Sequence, residues 1–210
     1  MKTEAFTTEG LSTRERILGV AMELFFTMEY NKVTLKEIAE KAGVTKGGIY
    51  HYFDSKDQLL SEAMMFSFSS MMDSMELVLT GHESSEDVIK QWFNFERMMG
   101  DFSVIMDGGD TFKALLQFMY LMFTALRKFP ELSDSFSGIY TDSIDMIEKL
   151  IIKGKNDGEI RSSVNTRGLA IQLVTCFEGS VLIGSVGPSF KLDEIGELLY
   201  KSIWEQIRAT

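Results

Sequence analysis

Apolar residues recur every three or four positions along most of this chain, and that period predicts amphipathic helices. No segment gives a convincing strand. Helices are expected over about residues 12–29, 34–42, 45–53, 55–79, 85–99, 110–128, 130–155, 166–186 and 191–208, with an irregular or short helical stretch before Gly109. The pattern therefore predicts an all-α protein of about nine or ten helices.

The segment Thr34–Leu60 predicts two short helices, a tight turn and the start of a long third helix. Thr34 and Glu37 form a capping box, which satisfies backbone donors at the start of the first short helix. Gly43 supplies the backbone freedom needed just past its end, and Thr45 caps the second. This is a helix-turn-helix pattern, whose second helix would lie in the major groove of DNA.

Two adjacent glycines, Gly47 and Gly48, lie in the expected recognition helix, although each costs about 1 kcal/mol relative to alanine. They indicate that a partner approaches the backbone closely, and DNA is such a partner. Lysine and aromatic polar groups nearby can reach phosphate oxygens or base edges. The candidate DNA-binding residues are Thr34, Thr45, Lys46, Gly47, Tyr50, His51, Tyr52 and Lys56.

The alternative is that this segment is only a helical corner, in which Tyr50, Tyr52 and Phe53 are packing aromatics. Thr34 and Thr45 are equally well explained as simple caps. Arg14 and Arg16, near the start of the first helix, either touch the DNA backbone or are solvated.

These residues resemble the N-terminal DNA-binding domain of the TetR family of bacterial and archaeal transcriptional regulators. The resemblance covers about residues 12–60, and beyond it only length and helical layout agree. It implies that Tyr50, Tyr52 and Lys56 contact phosphates and that Lys46 contacts a base or a phosphate. The matching motifs are T-x-x-x-I-A at Thr34–Ala39, A-G-V-T-K-G at Ala42–Gly47, I-Y-x-Y-F at Ile49–Phe53 and S-K-x-x-L at Ser55–Leu59.

The long helix predicted from Ser55 to Leu79 would link two domains. We expect a DNA-binding domain over residues 1–57, with its core in Ser12–Phe53, and a ligand-binding and dimerisation domain over residues 58–210. Because the second half of this helix is apolar nearly all round, it should be buried on several sides.

The predicted helix Thr166–Val186 mixes large apolar residues with Gly179, Ser180 and Gly184, which allow another helix to approach closely. The family resemblance implies an intermolecular four-helix bundle, and hence a homodimer. A twofold dimer would read an inverted repeat with two short recognition helices. The alternative is ordinary core within one chain.

The 14 methionines and 16 phenylalanines are concentrated between Met64 and Phe136. Methionine adapts to varied apolar partners, and the resemblance implies a small-molecule pocket in the C-terminal domain. An apolar or aromatic effector would take its polar contact from Glu178, Gln117 or Tyr120; the alternative is plain core. The candidate apolar lining is Phe68, Met71, Met72, Phe95, Met98, Phe112, Phe118, Met119 and Met122.

Composition argues against several other classes of protein. A net charge of −10 disfavours a protein that coats nucleic acid non-specifically, although lysines slightly outnumber carboxylates between Tyr30 and Gln58. One cysteine, Cys176, rules out an intrachain disulfide and fits a reducing compartment. No signal peptide is evident, and the apolar stretch Leu115–Leu126 is too short to span a bilayer. We expect a cytoplasmic protein without a membrane partner.

An enzyme is also disfavoured. His51, His82 and one cysteine cannot assemble a recognisable metal site, and no G-x-S-x-G motif or phosphate-binding glycine loop is present. The segment Asp107–Asp110 lacks the spacing of a calcium loop and predicts a turn. No cofactor is expected.

The sequence thus predicts a dimeric transcriptional regulator that binds double-stranded operator DNA with an inverted repeat. Repression rests on the family resemblance, as does release by an effector that shifts the Ser55–Leu79 helix. The alternatives are a helical ligand-binding or protein-interaction module without operator binding, or an activator with the same fold. The Lys46–Lys56 face distinguishes the regulator from the first alternative, because a module that does not bind an operator does not need such a face.

Overall fold

The computed structural model describes residues 11–80, 84–98, 111–130, 132–187, 189 and 191–209, and the regular elements of these ranges are helices. The predicted all-α class is confirmed. These ranges contain no strand, only an isolated antiparallel bridge between Ile160 and Arg208. The helices are α1 Thr13–Thr27, α2 Leu35–Lys41, α3 Lys46–Tyr50, α4 Lys56–Thr80, α5 Ser85–Trp92, α6 Phe95–Met98, α7 Thr111–Lys128, α8 Leu132–Asn156, α9 Thr166–Val186 and α10 Leu192–Ile207.

The first two helices both begin with a capping box, which confirms the prediction made for Thr34 and Glu37. The Ser12 hydroxyl accepts from the backbone N–H of Glu15 (3.2 Å), and the Glu15 carboxylate accepts from the N–H of Ser12 (2.8 Å). Thr34 and Glu37 form the same reciprocal pair at α2. At α4 the Ser55 hydroxyl accepts from Gln58 N–H, but the Gln58 side chain bonds the N–H of Asp54 instead of Ser55.

The helix predicted over residues 85–99 is wrong as one element, because it is divided into α5 and α6. The side chain of Asn94 accepts a hydrogen bond from the backbone N–H of Arg97 (3.0 Å), which starts a new turn. Trp92, Phe93 and Phe95 are all buried. The turn predicted at residues 107–110 lies outside the described residues.

Two compact units emerge from the contacts along the chain. The first comprises Met1–Met71 and Asp101–Ser135, and the second comprises Met72–Gly100 and Phe136–Thr210. The division expected at residue 57 stays a prediction. Helix α7, which the sequence assigns to the C-terminal domain, belongs by its contacts to the first unit, where it packs on α1.

In the first unit the three short N-terminal helices and the start of α4 enclose one apolar core. Its fully buried side chains come from every one of these elements. They include Ile17, Phe25, Ile38, Ile49, Phe53, Leu59 and Leu60. The core fixes which face of each short helix points outward.

In the second unit aromatic residues anchor α5 and α6 to α9. The indole N–H of Trp92 donates to the carbonyl oxygen of Leu173 (3.0 Å). The Phe177 ring lies 5.0 Å from the Phe95 ring and 5.3 Å from the Trp92 ring, between centroids. A Cβ atom at Gly196 of α10 would lie 2.2 Å from the carbonyl oxygen of Phe93, so α10 approaches this aromatic cluster at backbone distance.

Candidate nucleic-acid interface

The turn between α2 and α3 is built by Gly43, as the sequence predicts. Gly43 has φ +67°, a conformation that glycine adopts without steric cost. The N–H of Val44 donates to the carbonyl of Ala39 (2.9 Å) and that of Gly43 to Glu40 (3.3 Å). This pair of bonds is a Schellman motif, which ends α2 and sets the direction of α3.

Helix α3 has one buried side and one exposed side. Ile49 and the following Phe53 are completely buried, so they hold the helix on the core of the first unit. Six of the candidate DNA-binding residues, in α3 or next to it, are exposed, and we call them the recognition face. This recognition face consists of Thr45, Lys46, Gly47, Tyr50, His51 and Tyr52.

The two glycines of α3 differ in their surroundings. A Cβ atom at Gly47 would have one neighbour within 4 Å, the Thr45 hydroxyl at 3.8 Å, which is ordinary contact. At Gly48 it would lie 3.4 Å from that hydroxyl and 3.6 Å from Cβ of Val44. Packing within the chain therefore gives no reason for glycine at position 47, although glycine weakens the helix.

The aromatic side chains of the recognition face pack on each other and on Lys46. The Lys46 ammonium lies 5.9 Å from the centroid of the Tyr50 ring, and the His51 and Tyr52 rings meet edge to face at 5.0 Å. Tyr50 and Tyr52 remain 49% and 38% exposed. Their hydroxyl groups and the ammonium are thus exposed hydrogen-bond donors of the kind that phosphate recognition requires.

Thr45 and Thr34 both act as helix caps. Thr45 accepts from the N–H of Gly48 (3.0 Å), and Thr34 accepts from the N–H of Glu37 (3.2 Å). Hydrogen bonds from the Thr34 side chain and backbone lower the pKa of Glu37, so this carboxylate is charged at neutral pH. Their capping role is thereby established, and their contact with DNA stays a prediction.

Lys56 has a structural role that the sequence did not reveal. Its ammonium donates to the carbonyl oxygens of Tyr30 (2.7 Å) and Val33 (2.8 Å), and it lies 4.1 Å from the centroid of the Tyr30 ring. Two of its three N–H groups are therefore engaged within the protein. These partners precede it by 26 and 23 residues, so no local pattern could have indicated them.

Arg14 and Arg16 are engaged within the first unit rather than simply solvated. The Arg16 guanidinium donates through Nε to the carbonyl oxygen of Ala42 (2.9 Å), at the end of α2. Arg14 pairs with Glu62 and lies 5.5 Å from the centroid of the Phe53 ring. Arg16 thereby connects α1 to the end of α2, and Arg14 connects α1 to Phe53 and to Glu62 of α4.

The predicted effector lining is divided between the two compact units. Phe68, Met119 and Met122 belong to the first, and Met72, Phe95 and Glu178 to the second. Phe68, Phe95 and Met122 are buried, whereas Tyr120, considered as a polar contact, is exposed. The side chains of Met71, Met98, Phe112 and Phe118 lie outside the described part of the structure.

Glu178 is the candidate effector contact with the most distinctive surroundings. Its carboxylate accepts a hydrogen bond from the hydroxyl of Tyr140, and burial raises its pKa above the ordinary value for glutamate. Burial and the neighbouring carboxylate together raise the pKa of Tyr140 to about 12. One turn further along α8, the Ser143 hydroxyl lies 3.3 Å from the sulfur of Met72. Polar groups therefore meet methionine inside the second unit.

A separate cavity in the second unit is too small for an effector. Its volume is about 10 Å³, which is roughly the space of one water molecule. It contains none of the predicted lining residues. The residues around it are Ser85, Val88, Ile89, Trp92, Ile147, Leu150, Ile151, Ile160 and Leu173.

Helix α9 is apolar on two sides. Leu173, Val174 and Phe177 are buried, whereas other large apolar side chains of the same helix are exposed. Among the described helices, α9 is the one long and apolar enough to cross a membrane by length and composition, and half of it is buried within the protein. The exposed side chains are Ile171, Leu182, Ile183 and Val186, which we call the α9 surface.

The N-terminal part of the chain matches a known family. Residues 17–63 match the family described as bacterial regulatory proteins of the tetR family. Over 63 residues the chain is 43% identical to the HTH-type transcriptional regulator AcrR of Shigella flexneri, which is 30% of this chain and 29% of that protein. This identity is thus confined to less than a third of that relative's length.

Two other similarities extend over most of the chain. The HTH-type transcriptional repressor KstR2 of Rhodococcus jostii is 24% identical over 160 residues, 75% of this chain and 73% of that protein. The crystal structure of a TetR transcriptional regulator from Chloroflexus aurantiacus is 25% identical, with a TM-score of 0.70. That similarity covers 97% of this chain and 100% of the other. Together with the helix-turn-helix geometry, these similarities confirm the predicted resemblance to the TetR family of transcriptional regulators.

Proposed function

We propose that this protein is a cytoplasmic, homodimeric repressor that binds an inverted-repeat operator and is released by an apolar or aromatic effector. The inference of DNA binding is based on the recognition face of α3. It combines an ammonium, two exposed phenols and a glycine that packing within the chain does not require. Repression is supported by analogy with the related repressor alone.

The recognition face carries groups that can bind the phosphates and base edges of DNA near the N-terminus of α3. Thr45 and Lys46 occupy the first positions of α3, the part of a recognition helix that meets base edges. Tyr50, His51 and Tyr52 follow and are exposed, and their hydroxyl and ring N–H groups suit phosphate oxygens. Because the whole chain has a net charge of −10, random DNA should bind weakly and the complex should be sensitive to salt.

A homodimer is supported by the α9 surface. Four large apolar side chains on one helix are exposed in the single chain, and an exposed apolar patch of this kind marks an interface. Gly179 lies on the same helix with no atom within 4 Å of where its Cβ would be, so a second helix can approach there. Two recognition faces related by twofold symmetry would read an inverted repeat.

We expect Lys46→Ala to weaken operator binding and to lower the salt dependence of binding. Sites selected from random duplex DNA should contain an inverted repeat, and anisotropy titrations at several salt concentrations measure the slope. If each protomer loses one phosphate contact, the slope falls by about 1 per half-site. Lys201→Ala is the matched control, since this exposed lysine pairs with Glu197 far from α3 in sequence. Failure to enrich any sequence at low salt would contradict the proposal.

Effector binding in the Met- and Phe-rich region is supported by Glu178. A half-buried carboxylate with a phenol as its hydrogen-bond partner can contact a polar group of an otherwise apolar ligand. Screening apolar and aromatic compounds against the operator complex tests this idea. An effector must bind the free protein more tightly than the DNA-bound protein, and equal affinities would exclude it as the regulator.

We expect Glu178→Gln to raise the melting temperature at neutral pH by roughly 2–4 °C, which is about 1 kcal/mol for a chain of this length. The pKa of Glu178 is raised in the folded state, so its ionised form destabilises the fold once the pH rises above that pKa. Glutamine removes the charge and can still hydrogen-bond to Tyr140. The difference between the two proteins should shrink as the pH falls through the raised pKa of Glu178.

Glu197→Gln serves as the control for this measurement. Glu197 is exposed, and a hydrogen bond from Lys201 lowers its pKa, so its ionised form is the favoured one. Its replacement should give no gain in melting temperature at neutral pH. An equal, pH-independent change in both variants would show that burial of Glu178 is not the cause.

A further inference from the structure

Four side chains of the first unit meet at the base of the helix-turn-helix, and we call them the Lys128 clamp: Tyr30, Lys56, Asp57 and Lys128. The Lys128 ammonium lies 2.5 Å from the Asp57 carboxylate and 4.2 Å from the centroid of the Tyr30 ring. The Tyr30 hydroxyl donates to the same carboxylate oxygen of Asp57. Lys56 lies over the same ring, 4.1 Å from its centroid.

The clamp joins the two ends of the helix-turn-helix. Tyr30 and Val33 belong to the loop that leads directly into Thr34, the cap of α2. Lys56 and Asp57 form the start of α4, just after the last core residue of the helix-turn-helix, Phe53. Because the Lys56 ammonium bonds the carbonyl oxygens of Tyr30 and Val33, it fixes the entry of this segment to its exit.

Lys128 adds a third element to this junction. It is the last residue of α7, a helix remote in sequence, whose Leu121, Met122 and Ala125 are buried in the same unit. The next residue, Phe129, is also buried. The end of α7 is therefore held by packing, and the Lys128 side chain extends from it to Asp57 and Tyr30.

The contribution of the clamp to stability indicates which role it can have in the protein. The Lys128 and Asp57 side chains are 38% and 45% exposed, and an ion pair between exposed side chains contributes little to stability. Global stability is thus not its main effect. A side chain with several partners at one junction restrains geometry instead, since each contact limits the rotamers of the others.

We propose that Lys128 is a positioning residue for DNA binding, which holds the helix-turn-helix at a fixed angle to α7 through Asp57 and Tyr30. This inference rests on the proposed operator binding, but it concerns residues that are not on the recognition face. It assigns to α7 a second, non-covalent connection to the DNA-binding helices, in addition to the covalent one through α4.

The test compares Lys128→Met, which keeps the length of the side chain and removes its charge, with Lys128→Arg, which keeps the charge. Amide hydrogen exchange of the free full-length protein reports on residues 34–53 without DNA. Anisotropy titration of the selected operator at several salt concentrations reports on binding. Lys201→Met is the control, because it breaks an exposed ion pair in the second unit.

We expect Lys128→Met to speed exchange in residues 34–53 and to weaken operator binding by roughly fivefold or more, with an unchanged salt slope. Lys128→Arg should restore both, and Lys201→Met should alter neither. Combining Lys128→Met with Asp57→Asn should weaken binding by less than the product of the two single effects.

Three outcomes would overturn the inference. Unchanged hydrogen exchange and unchanged operator affinity would show that the clamp does not position the helix-turn-helix. A fall in the salt slope would show that Lys128 itself contacts a phosphate. Faster exchange with unchanged operator affinity would show that the clamp stabilises residues 34–53 locally and does not position them for DNA binding. If no operator is enriched at all, the proposed function fails, and hydrogen exchange alone still decides whether the clamp restrains the helix-turn-helix.

Discussion

Replacing Leu182 by glutamate is expected to dissociate the dimer and to weaken operator binding by about a hundredfold or more. Leu182 is 48% exposed in the single chain and lies on the α9 surface between Ile171 and Val186. In a twofold interface each substitution places two carboxylates in apolar surroundings, where an unpaired charge is strongly disfavoured. The measurements are analytical ultracentrifugation and operator titration.

The large effect on DNA binding follows from the loss of bivalency. In a dimer, binding of one recognition face holds the second beside its half-site, so the second binding step is intramolecular. A monomer lacks this advantage and must bind one half-site with one short helix. Each monomer should remain folded, because Leu182 does not contribute a buried side chain to its own chain.

Leu77→Glu is the matched control for Leu182→Glu. Leu77 is 76% exposed on α4, so the same change is made at another exposed leucine. The control should stay dimeric and bind the operator normally. If Leu182→Glu also stays dimeric, the interface lies on another surface and the proposed role of the α9 surface is wrong.

Gly47→Ala is expected to act in opposite directions on stability and on DNA binding. Alanine should stabilise α3, by up to about 1 kcal/mol, because glycine is the poorer helix former. The added methyl group meets only ordinary contact within the chain. If DNA approaches the α3 backbone closely, the same methyl group should weaken operator binding by about tenfold or more, the typical cost of one disrupted base contact.

Gly48→Ala gives the matched comparison. The neighbouring glycine has the same helix propensity, but its Cβ position faces Thr45 and Val44 and is less exposed. Its replacement should affect DNA binding much less than that of Gly47. Thermal unfolding and anisotropy titration of both variants separate the two effects. Tighter or unchanged operator binding by Gly47→Ala would show that DNA does not approach this part of α3.

Local interactions explain why much of this fold could be predicted. The caps at Ser12, Thr34 and Thr45 bond backbone groups three residues away, and Gly43 closes its turn within a few residues. Such signals are contained in short stretches of sequence, and the motif of residues 34–60 combines several of them. The all-helical class followed from these signals and is confirmed. The resemblance to the TetR family, which the motifs of this segment carry, is confirmed as well.

The break between α5 and α6 shows where local reasoning fails. Hydrophobic period alone predicts one helix over residues 85–99, since apolar residues continue through the break. The new turn starts at Asn94, whose side chain accepts a hydrogen bond from the N–H of Arg97. The partners of Trp92, which are Leu173 and Phe177, lie about eighty residues later. Propensity is a weak guide when distant packing decides the path of the chain.

The sequence by itself determined the helical class, the helix caps, the turn at Gly43 and the polar face of α3, because each depends on residues a few positions apart. Only the tertiary structure revealed the engagement of Lys56 with the loop before α2, the burial of Glu178 beside Tyr140 and the junction at Lys128. The Lys128 and Asp57 side chains are separated by 71 residues. A contact of that kind depends on how whole helices pack, and a single sequence carries no local signal of it.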